Sequence, residues 1–181
     1  MPMRLCFLPI LFLASLSLHA QKFPNNFVGH WEGELQWFQT GKNAAQTVRM
    51  QLIIQPSDTA GQFTWQMIYE QNQDNRPYIL KPIDTAKGHW VIDEKNGIML
   101  DQYWIGNRLT GAFTVQNSTI LNSYWIEGEY LVVEFYTTSA KPINLTGGTD
   151  KDIPPVDSYR VKSYQKAVLK KKNWGNTFAE I

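Results

Sequence analysis

Phe63-Thr64-Trp65-Gln66-Met67-Ile68-Tyr69-Glu70 is the stretch that decides the fold class. Phe63, Trp65, Met67 and Tyr69 occupy every second position, with Thr64, Gln66, Ile68 and Glu70 between them. Successive side chains of a β-strand point to opposite faces, so this spacing gathers four large apolar groups on one side of a sheet. A helix would scatter them around its circumference. Working backward, Val48, Met50, Leu52 and Ile54 alternate with Arg49, Gln51 and Ile53, and the connection from Pro56 to Gly61 reads as a hairpin turn. Further back, Trp31, Leu35 and Trp37 alternate with Glu32, Glu34 and Gln36.

The same period continues forward. Residues 76–84 read as a strand in which Pro77 and Pro82 cannot donate to a ladder and favour an edge or a bulge. Residues 89–93 and 98–104 flank Glu94-Lys95-Asn96-Gly97, and Asn-Gly between β runs is a strong hairpin signal. Residues 108–115 and 119–127 are joined through Gln116-Asn117-Ser118, residues 130–138 follow Gly128, and a last strand runs from 158 to about 164. The connection 139–157, rich in Pro, Gly, Thr and Asp, reads as one long loop. Residues 165–181 read as a C-terminal tail whose segment 165–172, with Ala167, Val168 and Leu169, is the only helix candidate.

About ten strands joined mostly by tight turns leave two sheet edges to dispose of, and closing the sheet removes both. The expected fold is therefore all-β: a single antiparallel up-and-down β-barrel. About eight strands enclose a space that side chains can fill, so at about ten a cavity follows unless large groups occupy it. Seven Trp, eight Tyr and nine Phe make the choice between a hollow and a filled barrel an open one at this point.

Residues 1–20 read as a cleavable signal peptide: Arg4 supplies the positive start, residues 6–18 a mostly apolar run, and Leu18-His19-Ala20 the small-residue cleavage site. The run is shorter than the roughly 20 apolar residues of a membrane-spanning helix, and no later stretch approaches that length. The expected destination is outside the cytoplasm, in a periplasm or the medium. Residues 21–181 form the barrel domain and contain no cysteine, since the one Cys of the chain is Cys6. Removing Arg4 leaves basic and acidic residues in balance, which argues against nucleic acid as a partner.

Phe27-Val28-Gly29-His30-Trp31-Glu32-Gly33 resembles the Gly-x-Trp opening of the first strand in lipocalins and other calycins. The resemblance implies a barrel closed at one end by Trp31, with an Arg from the last strand packed on it, and Arg160 in Ser158-Tyr159-Arg160-Val161 is placed for that role. It also implies a small-molecule binding protein. The mid-barrel Thr-Asp-Tyr signature of lipocalins is absent.

The inward members of the alternation give the candidate ligand-binding set: Trp65, Met67, Tyr69, Gln102, Trp104, Asn122 and Tyr124, accompanied by Leu100, Phe113, Val133 and Phe135. A buried amide without a partner costs about 1–3 kcal/mol, so Gln102 and Asn122 pair with each other, with water, or with a ligand. The functional reading is an aromatic pocket with two amides orienting something polar; the plainer one is a filled core. His30 and His89 offer neither the cluster a zinc site needs nor a specific haem signal, so no metal or cofactor is expected. Asp150, Asp152 and Asp157 lack the graded ligand spacing of a calcium loop and read as turn chemistry. Glu134 and Asp101 are the carboxylates with apolar neighbours, but both fall on the outward face, and no nucleophile motif accompanies them, so no enzyme is expected.

The leading expectation is an exported, lipocalin-like binder of an apolar or aromatic small molecule. The alternative is an envelope module that binds protein or glycan through an aromatic outer face containing Trp125, Tyr130 and Tyr136, or that forms a homo-oligomer there. A calycin-like enzyme comes third.

Overall fold

Each alternating segment of the sequence is a strand, paired antiparallel with its neighbours. The computed structural model describes residues 23–70 and 72–172; the signal peptide expected at 1–20 lies outside them. Among the described residues the strands are β1 (Gly29–Gln39), β2 (Gln46–Ile54), β3 (Phe63–Tyr69), β4 (Asp74–Asp84), β5 (His89–Asp93), β6 (Met99–Ile105), β7 (Arg108–Val115), β8 (Ser118–Glu127), β9 (Tyr130–Ser139), β10 (Asn144–Thr146), β11 (Val156–Ser158) and β12 (Val161–Lys171). Ten of them form a closed barrel in the order β1-β12-β9-β8-β7-β6-β5-β4-β3-β2, with β2 pairing back onto β1. The fold is the all-β up-and-down barrel that the alternation predicts. No described helix is long and apolar enough to cross a membrane.

Two expectations need correction. Residues 165–172 are not a helix, and the tail does not begin at 165, because β12 continues to Lys171. Ala167 and Leu169 are fully buried inside the barrel while Val168 points outward and is half exposed. Three apolar residues in a row concealed the period of two. β12 is needed at full length because it is the stave that closes the barrel, paired with β1 on one side and β9 on the other. The fit against β1 is close: a Cβ on Gly33 would lie 2.7 Å from the Val168 carbonyl oxygen. The long loop 139–157 also has structure of its own, since β10 and β11 pair as a small separate hairpin.

The two ends of the barrel are filled differently. At the end where β1 begins, a short 3-10 helix (Asn25–Phe27) turns inward and buries Phe27 completely. Phe23 stacks on Trp104 at 4.4 Å and meets Trp90 and Phe27 edge-on at 5.1 Å. Phe27 in turn lies against Trp65 and Trp104. Offset and edge-to-face aromatic pairs of this kind contribute beyond their buried area. Together they form a plug.

Trp31 borders this plug. It is 3% exposed, and its indole N–H donates to the Phe27 carbonyl at 2.8 Å, tying the 3-10 helix to β1. The cation over its ring is not the expected Arg160. Register pairs Trp31 with Lys171, whose ammonium lies 5.3 Å from the ring centroid. Arg160 precedes β12 at its other end, exposed, with its backbone N–H donating to the Ser139 hydroxyl. An antiparallel last strand brings its C-terminal end, not its start, to the beginning of β1.

The plug carries a prediction. Phe27→Ala removes a fully buried ring at the junction of the 3-10 helix and barrel, and should lower stability by about 3–5 kcal/mol. Urea unfolding followed by tryptophan fluorescence measures it. A loss below about 1 kcal/mol would mean that the plug contributes little to the fold.

Candidate functional site

At the opposite end no described segment inserts, and among the described residues the barrel is hollow. A cavity of about 480 Å³ opens there, beside the β3–β4 and β5–β6 turns. Leu35, Val48, Ile92, Leu100, Phe113, Ile120 and Phe135 give it apolar walls, and Met67, Tyr69, Gln102, Asn122 and Tyr124 line it as well. These last five belong to the set expected from the sequence. Trp65 and Trp104 do not reach the cavity: both point inward, but they stand lower in the barrel, in the aromatic plug. Trp65 meets Tyr124 edge-on at 5.0 Å and so backs the cavity from below.

The cavity floor is built from two amides and two phenols. Asn122 donates to the Gln102 side-chain oxygen at 2.8 Å, and Gln102 donates back at 3.4 Å. Gln102 is fully buried and Asn122 is 2% exposed, so this reciprocal pair satisfies both carbonyls inside the barrel. Each amide retains one N–H without a partner among the described residues. The pair exists because β7 has a glycine facing it. A Cβ on Gly111 would sit 2.2 Å from Gln102 Nε2, so a larger residue would evict the amide. The Tyr69 and Tyr124 hydroxyls both donate to the Met67 sulfur, each at 3.8 Å. A thioether is a weak acceptor, so these donors are poorly used.

Burial governs the titration of both phenols. It pushes Tyr69 up to about 12, against the opposing pull of the Arg76 charge, and it pushes Tyr124 well above the ordinary tyrosine range. At the mouth, Arg76 forms a bidentate pair with Asp74, its Nη2 2.6 Å from Oδ2 and its Nε 3.0 Å from Oδ1. That hydrogen bonding holds the Asp74 carboxyl below its usual range. The guanidinium also lies 5.0 Å above the Tyr69 ring, within the range of a cation–π contact.

Asp74, Arg76 and Tyr78 line the cavity but are not among the residues expected to bind. The signal was available, because they share the parity of buried Leu80 on β4. Pro77, which argues for an edge, diverts attention from a strand that is paired on both sides.

The outward candidates are engaged elsewhere. Glu134 accepts from the Tyr164 hydroxyl at 2.7 Å and has Lys166 at 3.7 Å. Asp101 pairs with His89, whose ring stacks on Tyr103. His30 bonds to Gln51, and Asp150 accepts from the Asp152 backbone N–H within a turn. Trp125, expected on an open outer face, is only 7% exposed because the Arg108 guanidinium covers it at 3.9 Å. Among the described residues no cluster of three or more His, Cys, Asp or Glu could hold a metal ion. In comparisons with known proteins, no family model matches the chain and no curated protein is significantly similar to it.

The buried phenols make stability depend on pH in a defined direction. Below pH ~10 both states keep the phenolic proton and these groups add no pH dependence. Above it the unfolded chain ionises while Tyr69 and Tyr124 resist, so the folded state loses ground until their raised values are passed. Urea titrations between pH 8 and pH 11.5 should show stability falling above pH ~10. The decline should be shallower in Tyr124→Phe by up to about 1.4 kcal/mol per pH unit. Equal slopes in the two proteins would exclude Tyr124 as a source of the effect.

Proposed function

We propose that this chain is an exported, lipocalin-like binding protein that holds an apolar or aromatic small molecule in the open half of its barrel. The carrying observation is the 480 Å³ cavity, walled by aliphatic and aromatic side chains with a few converging polar groups at its floor. Small-molecule sites are generally built this way, with volumes of about 300–1,000 Å³. A ligand in such a cavity gains roughly 25 cal/mol for each Å² of apolar surface withdrawn from water. The plug at the other end supports the reading, because it makes the cavity a blind one that retains its occupant. Export rests on residues 1–20, and the lipocalin likeness on Gly29-His30-Trp31 at the plugged end, with Lys171 in the covering role.

Binding is favoured over catalysis by the floor, where amides and phenols meet the ligand rather than a carboxylate or histidine. It is favoured over an outer-face partner because Trp125, the largest aromatic proposed for such docking, is already covered by Arg108.

Filling the cavity tests the proposal. The neutral dye N-phenyl-1-naphthylamine should bind the wild type saturably, with a rise in its fluorescence. Val48→Phe combined with Leu100→Phe places two rings in the cavity and should weaken binding at least about tenfold, a loss of ~1.4 kcal/mol. Tyr136→Ser, on the outer wall, should leave it unchanged. Equal dye binding by the filled variant would sink the cavity reading, and loss in Tyr136→Ser would favour the outer face.

A further inference from the structure

The distribution of donors and charges inside the cavity narrows the class of ligand. At the floor the groups left short of a partner are chiefly donors: one N–H each of Gln102 and Asn122, and the Tyr69 and Tyr124 hydroxyls, whose only acceptor is the Met67 sulfur. Each amide oxygen already accepts one hydrogen bond within the reciprocal pair, whereas the spare N–H groups have none among the described residues. The floor thus asks for an acceptor.

It does not ask for an anion. None of these four groups carries a positive charge, and a carboxylate brought among them would lose its water without gaining a counter-ion, which is costly. The one guanidinium lining the cavity, Arg76, stands at the mouth and is bound to Asp74 through both Nε and Nη2. Glu70 and Glu94 line the same mouth, so three carboxylates face a single cation there. An approaching anion meets net negative charge, and the Arg76 N–H groups that Asp74 leaves free belong to a cation already neutralised by its partner.

Resting on the cavity reading above, we infer that the ligand is an uncharged apolar molecule bearing a hydrogen-bond acceptor, such as a ketone, ester or quinone-type carbonyl, and that carboxylate-bearing molecules such as fatty acids are discriminated against. The acceptor points inward to the amide–phenol floor, and the hydrocarbon part lies along the walls toward the mouth.

Three naphthalenes of similar size test this by displacement of N-phenyl-1-naphthylamine at pH 8: 2-acetonaphthone, 2-ethylnaphthalene and 2-naphthoate. The ketone should bind about five- to tenfold more tightly than the hydrocarbon, as one neutral hydrogen bond allows, and naphthoate should bind most weakly. Tyr124→Phe or Tyr69→Phe should reduce the ketone's advantage while leaving 2-ethylnaphthalene within about twofold; having two variants guards against one that fails to fold. Asp74→Asn should remove the neutralising partner of Arg76 and raise the affinity for naphthoate several-fold more than that for the ketone. The inference is overturned if naphthoate matches the ketone, if the ketone is no better than the hydrocarbon, or if its advantage survives both tyrosine substitutions. In those outcomes the cavity still binds, and the cavity reading stands. Failure of the ketone to displace the dye also overturns the inference, whereas absence of saturable dye binding itself would remove the cavity reading.

Discussion

The structure depends on the seam where β12 lies against β1. These strands are joined by no turn: one comes from each end of the chain, and only side-chain fit and ladder hydrogen bonds hold them in register. Gly33 allows the approach, since any Cβ there would meet the Val168 carbonyl. Lys171 and Trp31 fix one end of the seam, and stacked Phe38 and Tyr164 lie along its outer side. An open ten-stranded sheet would expose two edges and one apolar face. Closure along this line converts the apolar face into an interior, and every other feature of the interior follows from it.

Ten staves enclose more space than aliphatic side chains alone can fill. The chain solves this asymmetrically. The segment before β1 folds back as a 3-10 helix and adds Phe23 and Phe27 to Trp65, Trp90 and Trp104, so that end packs solid. No described segment enters the other end, and its residual volume is the cavity. The plug and the cavity are therefore one design decision: the solid half supplies the burial that stabilises the barrel, which frees the hollow half from that task.

Strand positions were legible because alternation with a period of two is a local signal, carried by residues such as Phe63, Trp65, Met67 and Tyr69 without reference to the rest of the chain. Parity tells which face a side chain occupies but not how high it stands along the barrel axis. That is why Trp65 and Trp104, correctly inward, belong to the plug rather than the cavity. Register was likewise hidden. Arg108 covers Trp125 because the two are directly cross-strand on β7 and β8, and Lys171 rather than Arg160 reaches Trp31 for the same reason. The end of β12 was misread where Ala167, Val168 and Leu169 make both faces apolar at once.

The amide pair shows why the floor is more than residual space. Two buried amides in an apolar barrel cost stability unless their groups are matched, and apolar residues at both positions would avoid that cost. Gln102 and Asn122 satisfy their carbonyls against each other yet leave an N–H each, and accommodating them requires glycine at position 111 on the strand between. Two phenols whose only acceptor is a sulfur line the same cavity and add to its unused donor capacity. A core selected for packing alone would replace these groups. Their presence where the cavity ends is what a bound acceptor would make favourable, since it completes hydrogen bonds that the empty barrel leaves weak or unmade.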